Sequence, residues 1–227
     1  MDLSKHLEFF DPTKVGSIHI IGCGAIGSTL AETLARAGVQ SMHLYDFDVV
    51  TPHNITNQMY READIGKAKV VVLDKILQEI NPEIDNVLHP KGYDLEKPPR
   101  LSGYVFLCVD NIDLRRQITE QCLPNNAIKA VFDFRMRLTD AQHYAADWSN
   151  AKMQQVLLDS MQFTSEEAKA ATPINACGST LSIAPTVRII VSMGVANFMN
   201  FVNGKPIKKL ILIDAFNFTV DAFYMRQ

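Results

Sequence analysis

The glycine-rich segment at residues 20–28 constrains the fold of this chain more than any other feature. It follows the apolar run 17–21 and opens a helix-like stretch over 25–37. Its glycines have the spacing G-x-G-x-x-G and are Gly22, Gly24 and Gly27. Between a strand and a helix, this spacing provides a tight turn, a close approach of backbone to phosphate, and close packing of the helix on the sheet. The segment therefore predicts a phosphate-binding turn; the alternative is a glycine-rich turn without a ligand.

An aspartate follows the second strand-like run at the distance expected for a nucleotide site. The run from Met42 to Tyr45 ends in Asp46. An acid about 20 residues beyond such glycines commonly binds ribose hydroxyls. The strand, the helix, the second strand and the acid together predict a βαβ unit that binds a nucleotide at the carboxyl ends of its strands.

The rest of the chain first repeats this alternation and then changes. Helices are predicted at 67–80 and 111–122, and strands at 86–89, 103–109 and 128–134, which favours a doubly wound parallel sheet. The later part predicts an antiparallel strand at 138–148, a mobile polar segment at 150–176, a long helix at 179–201, and two final strands at 209–214 and 218–225. We therefore expect an α/β fold in a single domain over 1–227: a Rossmann-like, mostly parallel sheet with an antiparallel C-terminal extension.

Charge and composition exclude several classes of partner. A net charge of −3 without blocks of like charge gives no electrostatic reason to bind nucleic acid or an anionic membrane. The apolar stretch 181–202 contains Pro185 and Arg188, which indicates a buried helix and not a membrane span. The start of the chain lacks the apolar core of a signal peptide, so we expect a cytoplasmic protein. The four cysteines form no C-x-x-C pair, and no structural zinc is predicted.

The loop after Asp46 carries polar groups that suit a triphosphate. A second carboxylate, Asp48, is followed by the amide and cationic side chains of Asn54, Asn57, Gln58, Arg61, Lys67 and Lys69. Cations beside a leaving pyrophosphate stabilise the charge that develops in the transition state, whereas a dehydrogenase has little use for them. The loop therefore favours ATP over NAD. The alternative for the two lysines is a solvated helix start.

Asp110 is a second candidate at the same edge of the predicted sheet. It follows the apolar run 104–109, so it projects from the carboxyl end of a strand, where ligands bind in open α/β sheets. It is either a magnesium ligand or the N-cap of the next helix, and the two roles are compatible. Arg115, one turn into that helix, is expected to point back toward the same crevice.

Five segments in order carry a resemblance to a known family. They are IGCGAIGS, LYDFDVVTPHNITNQ, DIGKAKV, FLCVDNIDLRRQI and LSIAPTVRIIVSMGVANFMNF. Together they resemble the ubiquitin-activating enzyme superfamily, and most closely the ThiF, MoeB and HesA type of adenylyltransferase. The resemblance runs from about Ser17 to the C-terminus. It implies ATP-dependent adenylation of the C-terminal glycine of a small ubiquitin-like or sulfur-carrier protein, usually by a homodimer.

The resemblance also implies roles for individual residues. The three glycines line the nucleotide loop and Asp46 holds the ribose. Asn54 and Gln58 lie by the phosphates, Lys69 stabilises the charge on the α-phosphate, and Asp110 positions Mg²⁺.

Further matches concern the end of the fourth segment and a cysteine near the fifth. Asn111 and Arg115 match an Asp-Asn-x-x-x-Arg segment of the family. Cys177, eight residues before Pro185, matches the position of a cysteine that some relatives use in thioester or sulfur transfer; the alternative is a buried loop thiol.

Departures from the family pattern leave two rival functions open. Family members commonly have Arg-Gln where this chain has Asn57-Gln58, and that arginine contacts the γ-phosphate; we expect Arg61 to substitute for it. The paired C-x-x-C motifs and an N-terminal arginine that a second subunit often donates are missing, as in short, divergent members of the family. The rivals are a non-catalytic nucleotide-binding subunit and an NAD-dependent oxidoreductase.

Overall fold

The computed structural model describes residues 1–170 and 181–225, and its strands form a single sheet. The strands are β1 (Ile18–Ile21), β2 (His43–Tyr45), β3 (Val87–His89), β4 (Gly103–Leu107), β5 (Ile128–Met136), β6 (Asp140–Asp147), β7 (Leu210–Asp214) and β8 (Thr219–Phe223). Their order across the sheet is β3-β2-β1-β4-β5-β6-β7-β8. Pairs from β3 to β5 are parallel, and pairs from β5 to β8 are antiparallel. The fold class expected from the sequence is confirmed.

Helices cover both faces of the sheet. They are α1 (Ala25–Arg36), α2 (Lys69–Ile80), α3 (Ile112–Cys122), α4 (Ala151–Asp159), α5 (Ser165–Ala170) and α6 (Ala184–Val202). Successive side chains of a strand point to opposite faces. Accordingly Phe132 of β5 packs on Phe198 of α6, whereas the next residue, Asp133, meets Arg115 of α3. All residues of the central strands β1 and β4 are buried, as expected for strands covered on both faces.

Helix α6 is a core helix, as the sequence predicts. It has a proline in its first turn, where the missing N–H costs nothing, and it buries Ile190, Val191 and Phe198 against the sheet. Gly194 permits the close approach, because a Cβ there would lie 2.3 Å from the ring of Phe134. By length and composition alone α6 is apolar enough to cross a membrane, but a core helix passes the same test.

The region after β6 differs from the expectation of a mobile segment over 150–176. Its described part contains α4 and α5. The side chain of Asn150 caps α4 by accepting hydrogen bonds from the N–H groups of Lys152 and Met153. Met153, Leu157 and Met161 are buried at helical spacing. Because these apolar residues are separated by polar ones, the composition of the segment does not indicate a helix.

The fold places the candidate residues at one edge of the sheet. The chain leaves β1 to form β2 on one side, and β4 later occupies the other side of β1. In open α/β sheets, ligands bind at the carboxyl ends of the strands where the order reverses in this way. The glycine turn after β1, Asp46 after β2 and Asp110 after β4 all lie at that edge.

Candidate functional site

The glycine turn is shaped by close backbone contacts that larger residues would prevent. Gly22 has a φ of 96°, and a Cβ on it would lie 2.8 Å from the carbonyl carbon of Cys108. A Cβ on Gly27 would lie 1.8 Å from the carbonyl oxygen of Gly22. A Cβ on Gly24 would meet no atom within 4 Å. Gly22 and Gly27 therefore permit close packing of the backbone, and the space beside Gly24 is open.

The open side of the turn faces the start of α1. Gly24 is the N-cap of this helix of 12 residues, and no side chain caps it. The first N–H groups of a helix lack intrahelical partners and carry a partial positive charge. An uncapped helix start beneath an open glycine turn can receive a phosphate group.

Asp46 is fixed against the glycine turn. One carboxylate oxygen accepts a hydrogen bond from the Cys23 N–H at 2.7 Å, and the other accepts from the Asp48 N–H at 2.8 Å. Its own N–H donates to the carbonyl of His89 at 3.3 Å. Burial raises the pKa of Asp46, and the charge of Lys69 offsets part of that rise. The spare lone pairs of this carboxylate can accept hydroxyl groups of a ribose.

Lys69 is a buried cation beside Asp46. Its side chain is 7% exposed, and its Nζ lies 2.8 Å from the carboxylate of Asp48, whose carbonyl also accepts from the Lys69 N–H at 3.0 Å. Lys67 differs, because it is exposed and pairs with Asp64 at 3.6 Å. The alternative of a solvated helix start therefore applies to Lys67 and not to Lys69.

The loop that follows Asp48 contains the two amides, Asn54 and Gln58, that the resemblance assigns to the phosphates. Asn54 is buried and accepts hydrogen bonds from both the N–H and the hydroxyl of Thr51, each at 2.9 Å, so it closes a short 3₁₀ turn over Pro52–Thr56. The Oε1 atom of Gln58 is buried without a partner among the described residues. A buried polar atom without a partner costs about 1–3 kcal/mol. A ligand can offset this cost, because rotation of the amide presents Nε2 as a donor to phosphate oxygens.

Two residues that the sequence analysis did not single out hold this loop on the glycine turn. The hydroxyl of Tyr60 donates to the carbonyl of Cys23 at 2.6 Å, and the hydroxyl of Ser28 accepts from the Met59 N–H at 3.2 Å. Neither belongs to a spacing motif. A serine directly after Gly27 and a buried aromatic near the loop's end are signals only once the fold is known.

Asn57 and Arg61 point in different directions from the site. The Nδ2 of Asn57 donates to the hydroxyl of Ser182 at 2.7 Å, just before α6. Arg61 is exposed and pairs with Glu79 at 3.3 Å, in the last turn of α2. Glu79 lies about 15 Å along that helix from Lys69, at 1.5 Å per residue. The expected substitution of Arg61 for the family's arginine therefore has no support here, because the charge of Arg61 is engaged elsewhere.

Asp110 and its neighbour Asn111 differ in their contacts, which bears on the two roles expected for Asp110, a magnesium ligand or a helix N-cap. The side chain of Asn111 caps α3 by accepting from the Leu114 N–H at 3.0 Å. Asp110 is exposed and forms no hydrogen bond with any residue that the structure describes. The N-cap role expected as an alternative for Asp110 thus belongs to Asn111. Asp110 follows the end of β4, and no described residue occupies its carboxylate, which can therefore bind a ligand.

Arg115 corrects a second expectation. It is 5% exposed, and its guanidinium donates to the carbonyls of Leu107, at 3.1 Å, and Val109. It also pairs with the buried carboxylate of Asp133. Arg115 therefore turns back toward the end of β4 as predicted, but it binds the backbone beneath the crevice and not the crevice itself.

The remaining candidates concern a cysteine and a metal. Cys177 lies outside the described residues. Within 1–170 and 181–225, no group of three histidine, cysteine, aspartate or glutamate residues is arranged to hold a metal ion. Mg²⁺ does not require one, since it binds through one or two carboxylates together with phosphate oxygens and waters. The exposed carboxylate of Asp110 fits that mode of binding.

Relatives of this chain have been named in several organisms. It is 35% identical over 123 residues to ubiquitin-like modifier-activating enzyme 5 of Dictyostelium discoideum, covering 47% of this chain and 32% of the relative. It is 32% identical over 113 residues to molybdopterin-synthase adenylyltransferase of Haemophilus influenzae, covering 48% of this chain and 46% of the relative. The chain thus spans less than half the length of these curated relatives.

Solved structures share the fold, and a family model covers nearly the whole chain. Escherichia coli MccB, solved with AMPCPP and MccA, superposes with a TM-score of 0.73 at 20% identity, over 96% of this chain and 66% of MccB. PaaA superposes with a TM-score of 0.73 at 17% identity, over 96% of this chain and 67% of PaaA. The resemblance recognised in the sequence is confirmed: the model of the ThiF family matches residues 11–227, and the chain belongs to that family.

Proposed function

We propose that this chain binds ATP and transfers its adenylyl group to the terminal carboxylate of a small protein. Membership of the ThiF family supports the reaction class, because a relative is named molybdopterin-synthase adenylyltransferase. MccB, which shares the fold, has been solved with ATP. A ubiquitin-like or sulfur-carrier protein ending in glycine is the proposed acceptor, in keeping with the names of the relatives.

The observation that carries the proposal is the buried ammonium group of Lys69 beside Asp46. A buried lysine is retained only where a partner offsets its desolvation, and here Asp48 does so at 2.8 Å. The pair lies next to an uncapped helix start and an open glycine turn. Adenylyl transfer develops charge around the α-phosphate, which this cation would stabilise, whereas hydride transfer to or from a dinucleotide develops no charge on its phosphates.

The proposed reaction is an in-line displacement at phosphorus. A carboxylate oxygen of the partner forms a bond to the α-phosphorus of ATP, the bond from that phosphorus to the bridging oxygen breaks, and pyrophosphate leaves with the electron pair. The chain's part is positioning and charge stabilisation. The glycine turn holds the phosphates, Asp46 binds the ribose, and Lys69 stabilises the charge that develops around the α-phosphate.

Asp110 would hold Mg²⁺ in the proposed site. The metal would supply neutralisation of the phosphate charges when bound. Asp110 suits this role because its carboxylate is exposed at the end of β4 and Asn111 alone caps the following helix.

Calorimetry and isotope exchange test the proposal together. ATP with Mg²⁺ is expected to bind more tightly than NAD, and Lys69→Met is expected to weaken the binding while the exposed Lys67→Met does not. Exchange of labelled pyrophosphate into ATP is then measured with carrier proteins ending in Gly-Gly. Tight NAD binding without ATP binding would reject the proposal in favour of an oxidoreductase.

A second candidate function is favoured by the environment of Asn57. The family's γ-phosphate arginine is replaced by an amide that bonds to Ser182, and Arg61 pairs with Glu79. A chain that binds ATP but shows no pyrophosphate exchange with any carrier would be a non-catalytic nucleotide-binding subunit.

A further inference from the structure

Asp133 is a buried carboxylate for which the proposed reaction has no direct use. It lies near the carboxyl end of β5 and is fully buried. One oxygen accepts from Arg115, and the other accepts from the Nε of Arg135 at 2.6 Å. Burial raises the pKa of Asp133, but the two guanidinium groups outweigh it, so the pKa lies below its usual value. The group is therefore a permanent anion between two cations.

The first of these cations is attached to the backbone beside the crevice. Arg115 donates to the carbonyl of Leu107 at 3.1 Å and to the carbonyl of Val109. Leu107 ends β4, and Val109 directly precedes Asp110. Because Asp133 fixes the guanidinium of Arg115, it also fixes the path of the chain over 107–109.

The glycine turn rests on the same backbone segment. The Cys108 N–H donates to the carbonyl of Ile21 at 2.8 Å, and a Cβ on Gly22 would lie 2.8 Å from the nitrogen of Val109. The segment 107–109 thus separates the glycine turn on one side from Asp110 on the other. A shift of this segment changes the distance between the phosphate-binding turn and Asp110.

The second cation anchors Asp133 to a different part of the fold. Arg135 donates to the carbonyl of Ser160 at 2.6 Å and to its hydroxyl at 2.8 Å. Its guanidinium also lies 4.5 Å from the ring centre of Tyr144. With Arg135 held from three sides, Asp133 has a fixed position from which to orient Arg115.

We propose that Asp133, acting through Arg115, is a positioning residue that sets the spacing between the glycine turn and Asp110. The inference rests on the proposed function, because the quantity that it controls is the fit of a nucleotide with its metal. It assigns a role to a residue that lies outside every segment of the family resemblance.

The test compares nucleotide affinity in three variants, each measured well below its own unfolding temperature. Asp133→Asn keeps the shape of the side chain and removes its charge. Its affinity for ATP is expected to fall at least tenfold, and the gain in affinity that Mg²⁺ gives the wild type is expected to shrink. Arg135→Lys keeps a cation beside Asp133 but removes the paired hydrogen bonds that the guanidinium donates to Ser160. It is expected to show a smaller loss of ATP affinity. This variant serves if Asp133→Asn does not fold.

The matched control is Asn197→Ala. Asn197 of α6 is buried and bonds to the Lys208 backbone at 2.8 Å and 2.9 Å, far along the helix from the crevice. Its loss lowers stability without touching residues 107–109, so ATP affinity is expected to stay within twofold of the wild type.

Amide hydrogen exchange gives a readout that needs no nucleotide. The Cys108 N–H is expected to exchange faster in Asp133→Asn, and not in Asn197→Ala, because only the first variant releases Arg115. Unchanged ATP affinity together with unchanged exchange of the Cys108 N–H in both Asp133→Asn and Arg135→Lys would overturn this inference. The proposed function would not be affected by that result. Absence of ATP binding by the wild type would overturn the proposed function, and faster Cys108 exchange would still support the positioning of the segment.

Discussion

The two lysines at the start of α2 show how strongly folding separates similar residues. Lys67 and Lys69 are two positions apart, yet one is exposed and the other is almost fully buried. The buried ammonium group is better suited to act on a phosphate, because a charge interaction is stronger where protein replaces part of the surrounding water.

Lys69→Met is expected to reduce carrier-dependent pyrophosphate exchange by about 10²–10³, the usual loss when one preorganised electrostatic group is removed. Lys67→Met is the control and should change the rate less than twofold, because its partners are Asp64 and the Ala63 carbonyl at the surface. Equal losses in the two variants would assign the effect to general surface charge.

Asp110 and Asn111 give a second pair of neighbours with opposite expectations. Asp110→Asn should leave the free energy of unfolding within about 0.5 kcal/mol, because the side chain is exposed and has no described partner. It should abolish most of the dependence of nucleotide binding on Mg²⁺. Asn111→Ala should instead cost about 1 kcal/mol through loss of the helix cap. Urea unfolding and calorimetry separate the two effects, and a large stability loss in Asp110→Asn would argue against its role as a ligand.

Arg61 is expected to be dispensable, in contrast to what the sequence suggests. Since its guanidinium pairs with Glu79 at the surface, Arg61→Ala should lower pyrophosphate exchange less than twofold. Glu79→Ala removes the same ion pair and should change pyrophosphate exchange by a similarly small factor. A loss of 10³ or so in Arg61→Ala alone, the scale of an essential arginine, would show that Arg61 leaves Glu79 when nucleotide binds.

The types of residues and their order in the sequence predict which candidates lie at the site. They do not predict the direction in which each side chain points. The glycine turn, Asp46 and Asp110 lie at the predicted edge because strand ends follow from local pattern. The positions of Arg115 and Arg61 depend on Asp133 and Glu79, which lie 18 residues away from each. A partner of this kind cannot be read from spacing, since it is fixed only when strands pair and helices dock.

At the scale of elements, a row of aromatic side chains joins β1, β2 and β3. The rings of His19 and His43 stack at 4.4 Å between centres, and those of Tyr45 and His89 at 4.0 Å. The Nε2 of His19 accepts from the Ser102 N–H at 3.3 Å, so its Nδ1 carries the proton and donates to the Tyr45 hydroxyl at 3.0 Å. These two hydrogen bonds require a neutral His19, because its Nε2 atom must accept.

This row predicts acid sensitivity. Burial, followed by the neighbouring His43 and His89, lowers the pKa of His19 to about 3 from an ordinary value of 6.5. The unfolded chain therefore binds more protons than the folded chain between these values, and stability is lost as pH falls through that window. For one such group the loss approaches about 1.4 kcal/mol per pH unit. Urea unfolding between pH 7 and pH 5 measures it.

His19→Gln is expected to flatten this pH dependence, because glutamine stays neutral while offering a donor and an acceptor. The exposed His53→Gln is the control and should leave the slope unchanged. A wild-type stability that is constant from pH 7 to pH 5 would contradict the assignment.

Among the elements, the helices with wide apolar stripes and the strands with continuous apolar runs were predictable. Helix α4 was not, although Asn150 is a good N-cap and Met153 and Leu157 are helically spaced. Its stripe packs on β6, which directly precedes it, and also on α3, which lies earlier in the chain, so part of its burial depends on an element distant in sequence.

At the scale of the whole molecule, exposed apolar side chains motivate a prediction of a homodimer. Phe10 anchors the N-terminal lead against Phe198 of α6 at 6.2 Å, while Leu7 and Phe9 are 47% and 59% exposed. Neighbouring exposed apolar residues commonly mark an interface. We propose that this surface pairs with that of a second copy.

Light scattering is expected to give twice the monomer mass of 25.4 kDa. Phe9→Asp should shift the mass toward the monomer, because a charge would be buried at the contact. Phe218→Asp tests the other exposed apolar surface, which contains Phe216, Phe218 and Val220 at the far edge of the sheet. A shift toward the monomer in that variant alone would place the contact there and contradict the proposed surface. A monomer mass at every concentration would refute the dimer.

The central position of β1 has a consequence for how the protein is made. β1 pairs with β4, but the chain must be extended from Ile18 to Gly103 before that partner exists. At roughly 5–20 residues per second, translation leaves one edge of β1 open for several seconds. The glycine turn emerges from the ribosome before the backbone on which Gly22 rests, at Cys108 and Val109. A nascent chain cannot therefore capture nucleotide until β4 has arrived, and an exposed apolar β1 edge during this interval is where chaperones would be needed.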